Sequence, residues 1–385
     1  MTEITKTSYA DYAAVPRIDL ISKMDDDVLR FTLSNVDKCV ANALRRTMLA
    51  DIPAIVFRVS PYDQNKCTIH TNTCGLNNEV VKDRLSCVPI HIKDVEGFPR
   101  NNYVMEVNVQ NNSDTTLYVT SKDFVIKEVA TGKPMPEDQL RQIFPANPIT
   151  GDHLLFVRLK PKAADELHAK SIHLTCEFDV GTAKENGAFS VVSTCSYGNT
   201  QDPVAQEAKL QQLKQKWKDE GKTEPEIEFD TANWKLLEAK RIYKKDSFDF
   251  ILQTVGIHTN VELMILACEH MMKRLDQLVT QIEEERLEIR LADSTIPDCY
   301  DIILENEDYT AGNILEHFLL TTMFPKAITY CGFKMLHPHD SYGLLRLAYR
   351  NTVVVDTVHN DLKTNLGLAI ETFKSIRKEF SKLSR

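Results

Sequence analysis

Two apolar stripes with a spacing near 3.5 residues constrain this chain more than any other feature. The first runs through Val261, Ile265, Cys268, Met271, Leu275, Leu278 and Ile282. The second is cleaner, through Leu362, Leu366, Ala369, Ile370, Phe373, Ile376, Phe380 and Leu383. Steps of mostly three and four place these side chains along one narrow line of a helix, and a period of 3.5 keeps that line facing a partner helix over most of its length. Two long seams in one chain most simply pack on each other, as the shared spine of two halves. Pairing between separate copies is the alternative, and the pattern leaves it open.

Phe31 to Val59 predicts a strand, a short helix and a second strand. Val40, Ala43, Leu44, Thr47 and Met48 make one buried face of a helix over Cys39 to Ala50. Asp37 is placed to cap its start, and Asp51-Ile52-Pro53 ends it, because proline forbids further helix. Ile55, Phe57 and Val59 then alternate as in a half-buried strand. Asn42, Arg45 and Arg46 lie off the apolar face, as solvated side chains or as contacts for something else.

The second half restates this stretch. Ala41-Asn42-Ala43-Leu44, then Met48-Leu49, then Pro53, is matched by Gly312-Asn313-Ile314-Leu315, Leu319-Leu320 and Pro325. Each follows an acidic or polar turn (Asn35 to Asp37; Glu305 to Asp308), each precedes a strand (Ala54 to Val59; Ala327 to Met335), and each half ends in a seam helix. Two homologous halves within one chain are the expected architecture, with a junction in the glutamate-rich stretch Glu283 to Glu285 running on to Pro297.

Between these halves the character changes. Residues 1 to 16 read as a loose tail, and the strands Ile18 to Ile21 and Val28 to Leu33 flank the acidic turn Met24 to Asp27. Residues 61 to 188 are rich in Asn, Asp, Pro and Thr, with strand-like runs at Tyr103 to Val109, Phe124 to Val129, Leu154 to Leu159 and Ile172 to Phe178, so a separate, mostly β insert is predicted. Phe189 to Val192 reads as strand, Val204 to Glu220 and Ala232 to Lys245 as charged helices, and Phe248 to Thr254 as strand leading into a helix over His258 to Ile282. The lysines and arginines of the charged helices are nearly matched by acids, so solvated faces are the reading rather than a nucleic-acid site.

Composition narrows the class. The 385 residues suffice for two or three domains, and the net charge of -9 argues against a nucleic-acid-binding surface. The N-terminus lacks the basic start and apolar run of a signal peptide, and no stretch approaches the ~18 apolar residues of a membrane span. Nine scattered cysteines are expected as reduced thiols in an intracellular compartment. No P-loop, G-x-S-x-G, H-E-x-x-H or catalytic aspartate triplet occurs. Asp25-Asp26-Asp27 is consecutive, so its carboxylates point apart, and a surface turn is the reading. Cys67, His70, Cys74 and Cys87 carry a spacing that is superficially zinc-like.

Asn42-Ala43-Leu44-Arg45-Arg46-Thr47-Met48-Leu49-Ala50-Asp51-Ile52-Pro53 resembles the assembly signature of α-type subunits of multisubunit DNA-directed RNA polymerases: bacterial α, archaeal D and the eukaryotic third subunit. Thr71 to Thr73, Asn78-Glu79 and Asp83 to Ile90 resemble the family's asparagine-rich turn and its arginine-leucine-proline helix exit. Gly181, Lys184-Glu185 and Phe189 to Val191 resemble its return from the insert. From about residue 298, Glu307 to Leu315, Gly332-Phe333-Lys334 and His337-Pro338 resemble the archaeal L or eukaryotic eleventh subunit. Cys74 and Cys87 fall on the family's turn and helix exit, and the insert cysteine cluster of some relatives has no match after residue 90, so no metal is expected.

The resemblance implies an α+β fold: two related dimerisation folds forming an intramolecular pseudo-dimer, with the mostly β insert in the first. Residues 17–60 and 189–282 would form the third-subunit-like domain, 61–188 the insert, 283–297 the junction and 298–385 the eleventh-subunit-like domain. The implied role is a non-catalytic platform, one copy per complex and without a cofactor. It would bring together the largest and second-largest subunits and a small zinc-binding subunit, with no base-specific nucleic-acid contact. Asn42, Arg45, Arg46 and, by family position, Arg84 would meet the second-largest subunit. Ile265, Cys268, Met271, Leu275 and Leu278 would pack against Leu362, Leu366, Ile370, Phe373, Ile376 and Phe380. A fused pair resembles polymerases of large DNA viruses of eukaryotes, which implies virion and host cytoplasm; otherwise the nucleus is implied. The rival is a free-standing homodimeric scaffold unrelated to transcription.

Overall fold

The structure, a computed structural model, describes residues 15–20, 28–162 and 169–383. The tail expected over 1 to 16, save its last two residues, and the whole acidic turn Met24 to Asp27 lie outside them.

Strands β1 (Arg17–Leu20) and β2 (Val28–Ser34) pair antiparallel. Helix α1 (Lys38–Ala50) starts where Asp37 Oδ1 accepts the Cys39 amide at 2.8 Å, satisfying one of the donors a helix start leaves open. It buries Val40, Ala43, Leu44, Thr47 and Met48. After Pro53 comes β3 (Ala54–Val56), shorter than the expected strand and with no exposed face. All of residues 54–59 are buried, Arg58 included. The arginine tolerates this because Asp179 (2.5 Å), Glu185 (2.7 Å) and the Val180 carbonyl (2.7 Å) take its donors.

The insert follows as β4 (Cys67–Asn72), α2 (Asn78–Ser86), β5 (Tyr103–Asn111), β6 (Leu117–Thr120), β7 (Phe124–Glu128), α3 (Glu137–Ile143), β8 (Leu155–Leu159), β9 (Lys170–Glu177) and β10 (Asp179–Gly181). β4, β9, β5 and β7 form one sheet in that order, β6 pairs with β8, and β10 pairs antiparallel with β3. Its core is aromatic: Phe57 lies 5.3 Å from Phe178, and Phe124 meets Phe144 and Phe156 edge-on. The four strand-like runs are all strands. Helix α2 and the short helix α3, which follows Pro136, are the helical part of this mostly β stretch.

The expected strand over Phe189 to Val192 is instead a single helical turn, Gly187–Phe189, before β11 (Val192–Gln201). Next come α4 (Pro203–Asp219), α5 (Glu224–Leu236) and β12 (Tyr243–Thr254). The helix expected over Ala232 to Lys245 is displaced toward the N-terminus. A Thr223/Glu226 capping box fixes its start, and residues 243–245 are drawn into β12 by sheet pairing. The chain ends with α6 (Asn260–Glu283), β13 (Ile289–Leu291), β14 (Cys299–Glu305), α7 (Tyr309–Met323), β15 (Ile328–Lys334), β16 (Tyr342–Tyr349) and α8 (Val355–Leu383). None of the described helices is long and apolar enough to cross a membrane.

Within the described residues the chain divides into two units. One takes in residues up to Thr47, Cys195–Leu252 and everything from Met264 on; the other takes Met48–Thr194 and Gln253–Leu263. The first unit holds two four-stranded sheets, β1-β2-β12-β11 and β13-β14-β16-β15. Phe31 of β2 stacks on Phe250 of β12 at 5.0 Å and takes the edge of Phe380, from α8, at 5.1 Å. Cys268, Met271, Leu275 and Leu278 of α6 are buried, as are Leu362, Leu366, Phe373, Ile376 and Phe380 of α8. Ile265 and Ile370 are only half-buried, and Met264 and Ala369 are buried beside them. Helices α6 and α8 are bridged by Glu269–Arg377 (2.7 Å) and Glu283–Lys363 (2.8 Å), an antiparallel arrangement.

Candidate functional site: the face between α1 and α7

Helix α7 starts on Asp308, whose side chain accepts the Thr310 amide at 2.9 Å, as Asp37 accepts that of Cys39. Both aspartates use one carboxylate oxygen for their own helix and keep the other for its neighbour. Arg46, near the end of α1, donates from Nη2 to Asp308 Oδ2 and from Nε to Thr310 Oγ1, each at 2.8 Å. At the other end of the pair, His317 Nδ1 lies 3.7 Å from Asp37 Oδ2. The helices therefore run antiparallel, with the start of each beside the later turns of the other.

The two contacts are reciprocal. The offset that aligns Ala41 with Gly312 in the repeat also aligns Asp37 with Asp308, Cys39 with Thr310 and Arg46 with His317. The cap of each helix thus meets the basic side chain of the other at equivalent positions. That is the pattern of a two-fold contact, in which residue i meets j and j meets i.

Asp308 carries a second arginine. Arg274 of α6 donates to Glu307 at 2.7 Å and to Asp308 Oδ1 at 3.2 Å, with Glu307 buried. Burial alone would raise the Asp308 carboxyl, but the Thr310 bonds and the two guanidinium groups outweigh it and hold it down at about 2. Burial likewise works to raise Asp37, and the Cys39 amide with His317 outweighs it, leaving that carboxyl below its usual value. Burial, reinforced by the Asp37 charge, pushes the Cys39 thiol well up.

Asn42 and Arg45 sit beside this contact, half-buried, with Arg45 Nη2 donating to Asn42 Oδ1 at 2.9 Å. Arg46, expected to point outward, is engaged by Asp308 and Thr310 because the acidic turn before α7 supplies a cap with a spare oxygen. Arg84 belongs to the other unit, in the insert, where its guanidinium donates to the carbonyls of Phe156 (2.7 Å) and Leu155 (2.8 Å). Cys67 is buried opposite Cys176, His70 Nε2 bonds Thr175 Oγ1 at 3.0 Å, and Cys87 is exposed after α2.

Sequence reading passed over Asp308, Thr310, His317 and Arg274. The signal in the sequence is the acidic turn that precedes each repeat, once the alignment is carried outward to Asp37 and His317.

The RNA polymerase Rpb3/Rpb11 dimerisation domain matches residues 30–275 of this chain. Subunit RPAC1 of DNA-directed RNA polymerases I and III from Homo sapiens is 26% identical over 199 residues, covering 47% of this chain and 53% of that protein. Subunit 3B of DNA-directed RNA polymerases IV and V from Arabidopsis thaliana is 24% identical, covering 50% and 60%. The archaeal DNA-directed RNA polymerase subunit Rpo3 of Picrophilus torridus is 24% identical, covering 47% and 62%. The chain spans a little over half the length of these relatives.

Proposed function

The chain belongs to the RNA polymerase Rpb3/Rpb11 dimerisation-domain family, and from that premise we propose that it is an assembly platform of a multisubunit DNA-directed RNA polymerase with both members of the family's dimer in one polypeptide. Residues 17–60 and 189–282 form the third-subunit-like half, 61–188 the insert and 298–385 the eleventh-subunit-like half, joined across 283–297. The observation that carries this reading is the reciprocal pairing of α1 with α7, Arg46 to Asp308 and His317 to Asp37, at positions the repeat equates. Two unrelated domains in contact have no reason to meet through equivalent residues. The bridges between α6 and α8 add the second layer, with the buried stripes of both helices as its seam.

The role is structural: one copy of the chain orders the two large catalytic subunits and a small zinc-binding subunit around it. The contact with the second-largest subunit is assigned to Asn42 and Arg45, whose preorganised pair lies off the apolar face, with Arg84 as a further contact through the insert. Arg46 contributes indirectly, by fixing α1 against α7. The fused arrangement is that of polymerases from large DNA viruses of eukaryotes, and the viral reading, with its virion and cytoplasmic setting, follows from the fusion alone.

Co-expression of the tagged full chain with the two largest subunits tests the platform. One copy should be recovered with one of each, and Arg45→Glu should lose the second-largest subunit while keeping its circular dichroism, since replacing a buried interfacial arginine typically costs ~2 kcal/mol or more. Undiminished capture by Arg45→Glu removes this face from the interface. Native mass spectrometry showing a homodimer indifferent to both large subunits overturns the platform in favour of a free-standing scaffold.

A further inference from the structure

The two reciprocal contacts between α1 and α7 are built from different chemistry. On one side Asp308, Thr310 and Arg46 form a closed polar triad with every contact within hydrogen-bond range. On the other the equivalent positions hold Asp37, Cys39 and His317. Exchanging a hydroxyl for a thiol and a guanidinium for an imidazole leaves the geometry of a triad but replaces two groups that cannot ligate a soft metal with two that can. What remains is a carboxylate oxygen, a sulfur and an imidazole nitrogen, all within 4.8 Å of one another, and the only such group of three metal-ligating side chains among the described residues.

We propose that Asp37, Cys39 and His317 form a binding site for a thiophilic divalent cation of the zinc class, which would tie the start of α1 to α7. Sulfur, nitrogen and oxygen together select a borderline-soft ion over magnesium or calcium, which take oxygen ligands. Zinc bonds of about 2.0–2.3 Å in a tetrahedron set neighbouring ligand atoms roughly 3.3–3.8 Å apart. The Asp37 Oδ2 to His317 Nδ1 separation of 3.7 Å needs to close by only about 0.2–0.4 Å to make an oxygen–nitrogen edge. Asp37 can ligate without surrendering its cap, because Oδ1 holds the Cys39 amide and Oδ2 is the oxygen that faces His317. The Asp37 and His317 side chains are both partly exposed, which leaves a path of entry and a fourth position for water. On binding, a metal–sulfur bond forms, the thiol S–H bond breaks, and the proton leaves to solvent. The site stands on this geometry whether or not the chain joins a polymerase.

The purified full chain, stripped with a chelator, is titrated with Co2+ and then with Zn2+. The expected result is one Co2+ per chain with the intense near-ultraviolet absorption of a thiolate–cobalt bond, bleached by Zn2+ and lost in Cys39→Ser and His317→Gln. A second variant guards against misfolding: Cys39→Thr with His317→Arg rebuilds the opposite triad, and should fold with an unchanged circular dichroism spectrum and bind no metal. Absence of the thiolate–cobalt band in the native chain overturns the proposal. So does a band that survives in Cys39→Ser or in the rebuilt triad, because the sulfur would then belong to another cysteine.

Discussion

At the residue scale, Asp308 is the most heavily used side chain of the contact. It caps α7, receives Arg46 from α1 and receives Arg274 from α6. Its carboxyl sits at about 2 against an ordinary value of 3.8. Because the folded value lies below the unfolded one, its contribution is complete above pH 4 and disappears as pH falls from there toward 2. A shift of this size corresponds to about 2 kcal/mol. Urea denaturation of the full chain followed down this pH window should show that loss, and Asp308→Asn should start less stable and show a shallower slope. Identical slopes would mean that the acid sensitivity belongs to other carboxylates. The same residue shows what helical spacing leaves out about Arg46. Helical spacing places a side chain on a face, and Arg46 is off the apolar face as predicted, but spacing does not say that another helix's cap lies there. Arg45, one position earlier, bonds Asn42 of its own helix.

At the element scale, the close approach of α7 to its sheet depends on the absence of a side chain. A Cβ on Gly312 would stand 2.4 Å from the ring of Phe333, and one on Gly343 of β16 would stand 2.1 Å from it on another side. The ring is buried and has nowhere to go. Gly312→Ala should therefore destabilise the chain by about 1–3 kcal/mol, overriding the ~1 kcal/mol that alanine ordinarily gains over glycine in a helix. Gly367, in α8 with open space around it, is the control: Gly367→Ala should stabilise. Equal and favourable shifts in thermal melting for both would show that α7 can move off its sheet. The repeat had set Gly312 opposite Ala41, a small residue at the same place in each helix, so the requirement was visible. The partner ring was not, because it comes from a strand pairing that local sequence does not specify. The displaced helix over 232–245 has the same origin. Tyr243, Lys244 and Lys245 carry helix-compatible chemistry, and only the long pairing of β12 makes them strand.

At the scale of the whole molecule, the long helices were the most legible part, since a stripe sustained over six or more positions leaves few alternatives. Single positions were less so: Ile265, in the second turn of α6, and Ile370, midway along α8, fit the period and yet lie at the edge of the buried face. The aromatic contact of Phe380 with Phe31 joins the far end of α8 to β2. Phe380→Ala should cost about 3–5 kcal/mol, the range for removing a fully buried aromatic. Amide exchange should then rise together in α8 and in β2, as expected of one cooperative body. Faster exchange confined to α8 would mean that the helix is held independently of the sheet beneath it.

That aromatic contact also sets a timetable for synthesis. Phe31 leaves the ribosome early, yet the ring that closes over it comes from residue 380. At ~5–20 residues per second, the nascent chain waits on the order of tens of seconds with that surface uncovered. Throughout this interval β2, and in its last part the stripe of α6 as well, are available to other apolar segments, including those of neighbouring nascent chains.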